Sequence, residues 1–393
     1  MDVAHSVQFR HLFLEENLKL WKRVEHKMSN MIRWWVPQIG DEERRLIIKV
    51  LDNNFPNEGE LTTLFEQKLC RLLGCKHAVA VTSATAAIFL ALKALGITHG
   101  DEVIVPDITF IATANAVEMC GAKPVLVDVD PKTMTIDTNA FSDAMTKRTR
   151  AVIPVHVSGR AADMDTIAKI AKSSDIHIVE DAAEAFLSKY KGRFLGTFGK
   201  AGCFSFSPHK TITTGQGGVI VTDDAELHIQ LRMLKDQGRP NRGTGGDDLH
   251  NVIGYNFKFT DLQAAVGLGQ LTYLEARIER MKRIYGLYEE NLKDLDGISL
   301  FHFNIAEGEM PQWTDAIVEH RDDLDKYLRA NGIECRRYWF PIHTQVPYRL
   351  PDDKFPNSTK LSPKALWLPS AFTLSDKDVE TICNHIKDFL RKK

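Results

Sequence analysis

The chain has 393 residues, so one large or two modest domains are expected. Lys plus Arg is 50 and Asp plus Glu is 52, a net charge of -2 that argues against non-specific nucleic-acid binding, which needs clustered basic charge. With 44% hydrophobic and 26% charged residues, the composition is that of a globular protein with a substantial core. Six cysteines (Cys70, Cys75, Cys120, Cys203, Cys335, Cys383) are too sparse for a disulfide scaffold, and no CxxC or matching His spacing points to zinc, so no metal site is expected. The longest apolar stretch, 86–97, is broken by Lys93 and falls short of the about 20 residues a spanning helix needs. A cytoplasmic protein without membrane or nucleic-acid partners is the expectation.

Residues 1–30 mix acids and bases without a continuous apolar segment, unlike a targeting signal. Phe9, Leu12, Leu14, Leu18 and Trp21 have loose helical spacing, so this N-terminal extension, helical or disordered, reads as an amphipathic arm or as a stretch upstream of the true start, since Met28 and Met31 both precede the first recognisable segment. From residue 45 the pattern is regular. Apolar, β-rich runs recur at 78–83, 101–106, 123–130, 149–156, 175–181, 201–207 and 217–222, most of them separated by helix-period stretches such as 84–95, 109–119, 137–146 and 162–173. Continuous apolar strands alternating with helices predict an α/β fold with a seven-stranded, mainly parallel sheet covered on both faces. A long helical pattern opens at Thr260 and Asp261 and runs toward 295 as a connector. Beyond it, 298–303, 313–319 and 333–340 read as strands and 321–330 as a helix, and Ser375 caps a last helix with Val379, Ile382, Ile386 and Phe389 on one face. The expected division is a large domain over 31–275 and a smaller α+β domain over 276–393.

Open α/β sheets bind ligands outside the carboxyl ends of their strands. The first strand is followed by Thr82-Ser83-Ala84-Thr85-Ala86, small residues and hydroxyls leading into a helix, a ready phosphate site. The second runs into Pro106-Asp107-Ile108-Thr109-Phe110, which puts an aromatic at the edge. The fifth ends in Glu180-Asp181 before Glu184, the sixth in Ser205 before His209-Lys210, and Gly215-Gln216-Gly217-Gly218 leads into the seventh. Singly, these are helix caps, core aromatics, surface lysines and turn glycines. Together they are the parts that hold pyridoxal 5'-phosphate (PLP): a phosphate cradle, an aromatic plate, a carboxylate for the ring nitrogen and a lysine for the Schiff base.

The segments GCKHAVAVTSATAAIFLALKALG, GDEVIVPDITFIATANAV, PVHVSGRAADMD, VEDAAEA, GCFSFSPHKTITTGQGGVIVT, GYNFKFTDLQAAVGLGQL and LWLPSAFTLSDKDVE stand in this order. Over residues 31–393 the chain resembles the DegT-type sugar aminotransferases, a branch of the fold-type-I PLP enzymes that act on nucleotide-linked keto sugars. The resemblance implies that Lys210 is the Schiff-base lysine and proton shuttle, that Asp181 keeps the pyridine nitrogen protonated, and that Phe110 stacks on the ring. It further implies that Ala84, Thr85 and Ser205 bind the phosphate, and that Glu184 sits near the ring hydroxyl or the lysine. Asn256 would reach the phosphate of a neighbouring subunit, which implies a homodimer with composite sites. For the substrates, L-glutamate and a nucleotide-linked keto sugar, it points to Arg336, Arg337, His343 and Lys258. Glu184 looks like the perosamine-synthase branch, whereas Gln216, Ala84 and Lys258 replace a frequent Glu, a Gly or Cys, and an Arg; lysine lacks the bidentate fork of Arg. Some relatives carry histidine in place of the lysine and dehydrate. Five residues forward from Ser205, or five back from Gly215, land on Lys210 rather than His209, so transamination is expected. The product expected first is a perosamine-type sugar made from a 4-keto-6-deoxyhexose. Alternatives are a 3-keto sugar nucleotide, a keto-octulosonate, or a non-catalytic regulatory relative; a nicotinamide enzyme fails on the absent GxGxxG.

Overall fold

The computed structural model describes residues 31–240 and 248–393, so the arm expected in 1–30 lies outside the described residues. Two helices, α1 (Asp41–Asp52) and α2 (Glu60–Leu73), lead into the sheet. The buried carboxylate of Asp261 caps α2 from 200 residues away, accepting the N–H groups of Gly59, Leu61 and Thr62 and the Thr62 hydroxyl. Gly74, at φ 68°, ends the helix in the left-handed conformation that glycine adopts freely.

The chain then alternates β1 (His77–Val81), α3 (Ala84–Ala94), β2 (Glu102–Pro106), α4 (Ala112–Met119), β3 (Lys123–Val127), α5 (Thr138–Asp143), β4 (Thr149–Val152), α6 (Met164–Ser173) and β5 (His177–Asp181). A short hairpin, β6 (Lys189–Tyr190) and β7 (Arg193–Phe194), precedes β8 (Ala201–Ser205), β9 (Gly218–Thr222) and α7 (Ala225–Lys235). All seven expected strands join one sheet in the order β1-β9-β8-β5-β4-β2-β3. Only β9 runs antiparallel to its neighbours; the remaining pairs are parallel. Alternate residues serve opposite cores. Val79, Val81, Val103 and Val105 pack on α3, α4 and α7, while Ala78, Ala80 and Ile104 share the other core with Phe65 and Ile167. Burial on both faces is why these strands read as continuous apolar runs. The helix α3 is buried along Ala86–Leu92, apolar all round because it lies between the sheet and other helices.

The long connector expected from 261 to 295 is two helices, α8 (Asp261–Leu271) and α9 (Leu274–Leu292). Gly267 and Gly269 let α8 approach Phe65 and Glu43, where a side chain would collide, and they weaken its last turn. The break at Thr272 and Tyr273 is closed by tight bonds to the carbonyls of Gly269 and Gln270.

A second, antiparallel sheet takes the order β10-β11-β13-β12, from β10 (Ile298–Leu300), β11 (Asp315–Val318), β12 (Arg336–Arg337) and β13 (Ala365–Trp367). It packs with α9, α10 (Arg321–Ala330) and α12 (Asp376–Leu390) in a core that also takes Trp34 and Trp35. Ser375 caps α12 as expected, in a capping box with Asp378. The strand expected over 333–340 is two residues long, because the chain turns away through Pro341 toward a short helix, α11 (Pro356–Leu361). Among the described residues, no helix is long and apolar enough to cross a membrane.

Candidate active site

The carboxyl ends of β1, β2, β5 and β8 and the start of β9 share one sheet edge, which the second sheet covers. Between them lies a cavity of about 270 Å³, lined among others by Ser83, Ala84, Thr85, Phe110, Asp181, Glu184, Ser205, Lys210, Gln216, Trp313, Arg336 and Trp339.

One end is built for an anion. Ser83 caps α3, its Oγ accepting the Ala86 N–H at 3.1 Å. The N–H groups of Ala84 and Thr85, in the first turn, have no intrahelical acceptor, and they sit at the positive end of the helix dipole. Gly218 runs directly beneath: a Cβ there would lie 2.5 Å from the Ser83 carbonyl carbon and 2.7 Å from the Ala84 nitrogen. Ser205, paired with Gly218, adds a hydroxyl. Phosphate-binding geometry thus comes from a helix end, a hydroxyl and a strand with no side chain in the way.

The other end carries the titratable groups. Asp181, at the end of β5, accepts the Thr113 hydroxyl at 2.7 Å and the Ala183 N–H at 3.1 Å. Burial pushes its carboxyl upward against those donors and the charge of Lys210. Glu184 Oε1 stands 3.4 Å from Lys210 Nζ, and its Oε2 accepts the Ser158 N–H at 2.9 Å. Burial raises the Glu184 carboxyl and lowers the Lys210 amine, while the attraction between the two opposes both shifts. Both shifts narrow the gap in proton affinity between the amine and the carboxylate.

Ser158 has φ 54°, unusual for a residue with a side chain, and it is held there. Its Oγ donates to Asp315 at 3.1 Å and accepts from Trp367 Nε1 at 3.0 Å. Asp315 in turn takes two bonds from Arg160, at 2.6 and 2.8 Å, and one from the Tyr338 hydroxyl at 2.6 Å. The second sheet thereby fixes the N–H that orients Glu184.

The sequence profile of the DegT/DnrJ/EryC1/StrS aminotransferase family matches residues 37–387. The chain belongs to this family. It is 36% identical over 367 residues to a GDP-perosamine synthase of Escherichia coli O157:H7, covering 91% of this chain and 98% of that protein. Among solved structures, S. venezuelae DesV superposes with a TM-score of 0.84 at 33% identity, over 89% of this chain and 94% of that one. A putative sugar aminotransferase of Streptococcus pneumoniae in its PLP form gives 0.86 at 26% identity, over 91% and 98%. The protein is an aminotransferase by family.

In this aminotransferase the cavity brings together Ala84, Thr85, Phe110, Asp181, Glu184, Ser205 and Lys210, all singled out from the sequence. His209 is exposed and packs its ring on Trp34, leaving Lys210 as the group turned toward Glu184. Of the arginine pair, only Arg336 lines the cavity; Arg337 points to the opposite side of β12, paired with Asp325 at 3.1 Å. His343 is fully buried and does not line this cavity; its Nδ1 lies 2.6 Å from Asp107 and its ring stacks on Phe355, so it ties its loop to the end of β2. Lys258 is likewise engaged elsewhere, 2.9 Å from Asp236. Asn256 is exposed and does not line this chain's own cavity. Sequence reasoning missed Ser158, Asp315, Trp313 and Trp339. The motif PVHVSGRAADMD contained Ser158, but neither spacing nor composition signals that residues 158 and 315 meet.

Proposed function

We propose that this aminotransferase uses PLP to move the amino group of L-glutamate onto a nucleotide-linked 4-keto-6-deoxyhexose, making a perosamine-type amino sugar for polysaccharide or glycoside biosynthesis. The observation that carries the reading is the placement of Lys210 Nζ beside Glu184 in a cavity with an anion cradle at one end and Asp181 at the other. The GDP-perosamine synthase relative supports the choice of sugar.

The residues fit the cofactor. When bound, PLP supplies an electron sink for negative charge on the carbon bearing the transferred amino group. The Ala84 and Thr85 N–H groups and the Ser205 hydroxyl would hold its phosphate, Phe110 would pack against the ring, and Asp181 would keep a proton on the ring nitrogen. That cation would give the buried carboxylate of Asp181 a directly paired charge beside the Thr113 and Ala183 donors. Lys210 Nζ takes the proton from the donor carbon and delivers one to the acceptor side, and Glu184 holds the ammonium close in between. Arg336 has no carboxylate within ion-pair distance among the described residues, so its guanidinium is free to take the carboxylate of the donor. Asn256, exposed on this chain, serves the phosphate of a second subunit in a homodimer.

The test is a visible spectrum of the purified protein supplied with PLP. A band from lysine-bound cofactor that bleaches on adding L-glutamate is the expected result. A protein that stays colourless with PLP would favour the regulatory relative.

A further inference from the structure

The lysine loop is gripped from the second sheet by two residues that precede β11. Gln312 accepts the Thr211 hydroxyl at 2.7 Å and the Thr211 N–H at 3.3 Å, and donates to the His209 carbonyl at 3.3 Å. Trp313 Nε1 donates to that same carbonyl at 3.2 Å. Both neighbours of Lys210 are therefore held by residues 312 and 313. The Trp313 ring also faces the amine: Nζ lies 4.6 Å from the ring centroid. The ring cannot easily turn away, since Trp367 meets it edge-on at 5.2 Å and Trp34 lies at 5.2 Å on a tilt.

We infer that Trp313 is a further catalytic residue, whose π face holds the Lys210 ammonium beside Glu184 whenever the lysine is free of the cofactor. The inference rests on the reading of Lys210 as the reacting amine. In each half of a transamination the lysine is released and must carry a proton inside a buried pocket. The charged groups around it are Glu184 and Asp181, which favour the ammonium, and Arg336, which opposes it; burial opposes it most. An aromatic face offsets part of that desolvation electrostatically. Unlike a further carboxylate, it has no site to accept the proton, so it supports the charge without competing for the transfer. It also leaves the nitrogen's hydrogens free for Glu184 and for the substrate carbon, because the contact runs through the ring face and not through a hydrogen bond.

The contact can be read without turnover. Cofactor-free protein is labelled with trace acetic anhydride across the alkaline range, and acetylation of Lys210 is followed by peptide mass. Trp313→Leu removes the ring; a second protein carries fluorotryptophan, which keeps shape and hydrogen bonding but withdraws π density, in case the leucine variant does not fold. The labelling midpoint of Lys210 is expected to fall by about half a pH unit in Trp313→Leu and to fall in the same direction with fluorotryptophan. In the PLP-loaded enzyme, kcat for Trp313→Leu is expected to drop about tenfold with the KM for donor little changed. A midpoint unchanged in folded Trp313→Leu, or in the fluorotryptophan protein, overturns the inference. Because labelling needs no substrate, that failure is distinguishable from a failure of the proposed activity, which would appear as absent turnover with the midpoints still shifted.

Discussion

At the scale of single residues, the site is organised by opposed burial and charge. Asp181 and Glu184 are carboxylates that burial pushes upward, and Lys210 is an amine that burial pushes downward. The consequence for stability has a definite sign. A carboxyl raised in the folded state is held protonated more tightly there than in the unfolded chain. The stability it contributes is full below the ordinary carboxylate range and is lost as pH climbs through the raised value. Asp181→Asn removes one such group, so the thermal midpoint of the cofactor-free variant should vary less between mildly acidic and neutral pH than that of the parent. The same substitution leaves the ring nitrogen without a charged partner, and transamination should fall by orders of magnitude. A variant with the parent's pH slope and the parent's rate would remove Asp181 from the account. Legibility was uneven at this scale. Lys210 stood out because Ser205 and Gly215 fix its register from both sides. Arg336 and Arg337 could not be separated, since in a two-residue strand nothing in the sequence says which one faces inward. His343 drew attention as a loop histidine; its partner Asp107, 236 residues away, is visible only once the chain is folded.

At the scale of elements, the cradle depends on how closely β9 approaches the start of α3. Gly218→Ala places a Cβ within 2.5 Å of the Ser83 carbonyl carbon and 2.7 Å of the Ala84 nitrogen. Overpacking of this kind costs about 1–3 kcal/mol, which, where phosphate binding bears it, corresponds to roughly five- to 150-fold in affinity. Titration of the variant with PLP should show that weakening while circular dichroism reports an intact fold; unchanged affinity would mean the cradle is not where the phosphate binds. The strands of the large sheet were legible because runs such as Val103–Val105 and Val219–Val221 are buried on both faces. The element β13 was not, being three residues long and defined by its pairing with β11 and β12. The split between α8 and α9 was also hidden, because a periodic apolar pattern continues across Thr272 and Tyr273 although the backbone does not.

At the scale of the whole molecule, the two sheets are joined at the site itself. The Arg160–Asp315 pair, the Asp107–His343 pair and the Trp313 hydrogen bond to the His209 carbonyl all cross from one to the other. The second sheet therefore supplies more than a cover: it orients Glu184 through Ser158 and grips the lysine loop. The charge balance of -2 is compatible with the proposed anionic ligands, since the cofactor phosphate would be met by a helix end and the donor carboxylate by Arg336, and not by a basic surface. A homodimer with shared sites predicts complementation. Mixing Lys210→Ala and Asn256→Ala subunits, each poorly active alone, should recover about a quarter of parental activity, because half the dimers are hybrids and each hybrid has one intact site. Recovery absent after subunit exchange would argue that each chain builds its site alone. One assay tests the proposed activity directly: holoenzyme, L-glutamate and a nucleotide-linked 4-keto-6-deoxyhexose, with the product followed by mass and NMR. An aminated sugar nucleotide formed one-for-one with the keto acid is expected, and none from Lys210→Ala. Glutamate-dependent amination surviving in Lys210→Ala would contradict that expectation.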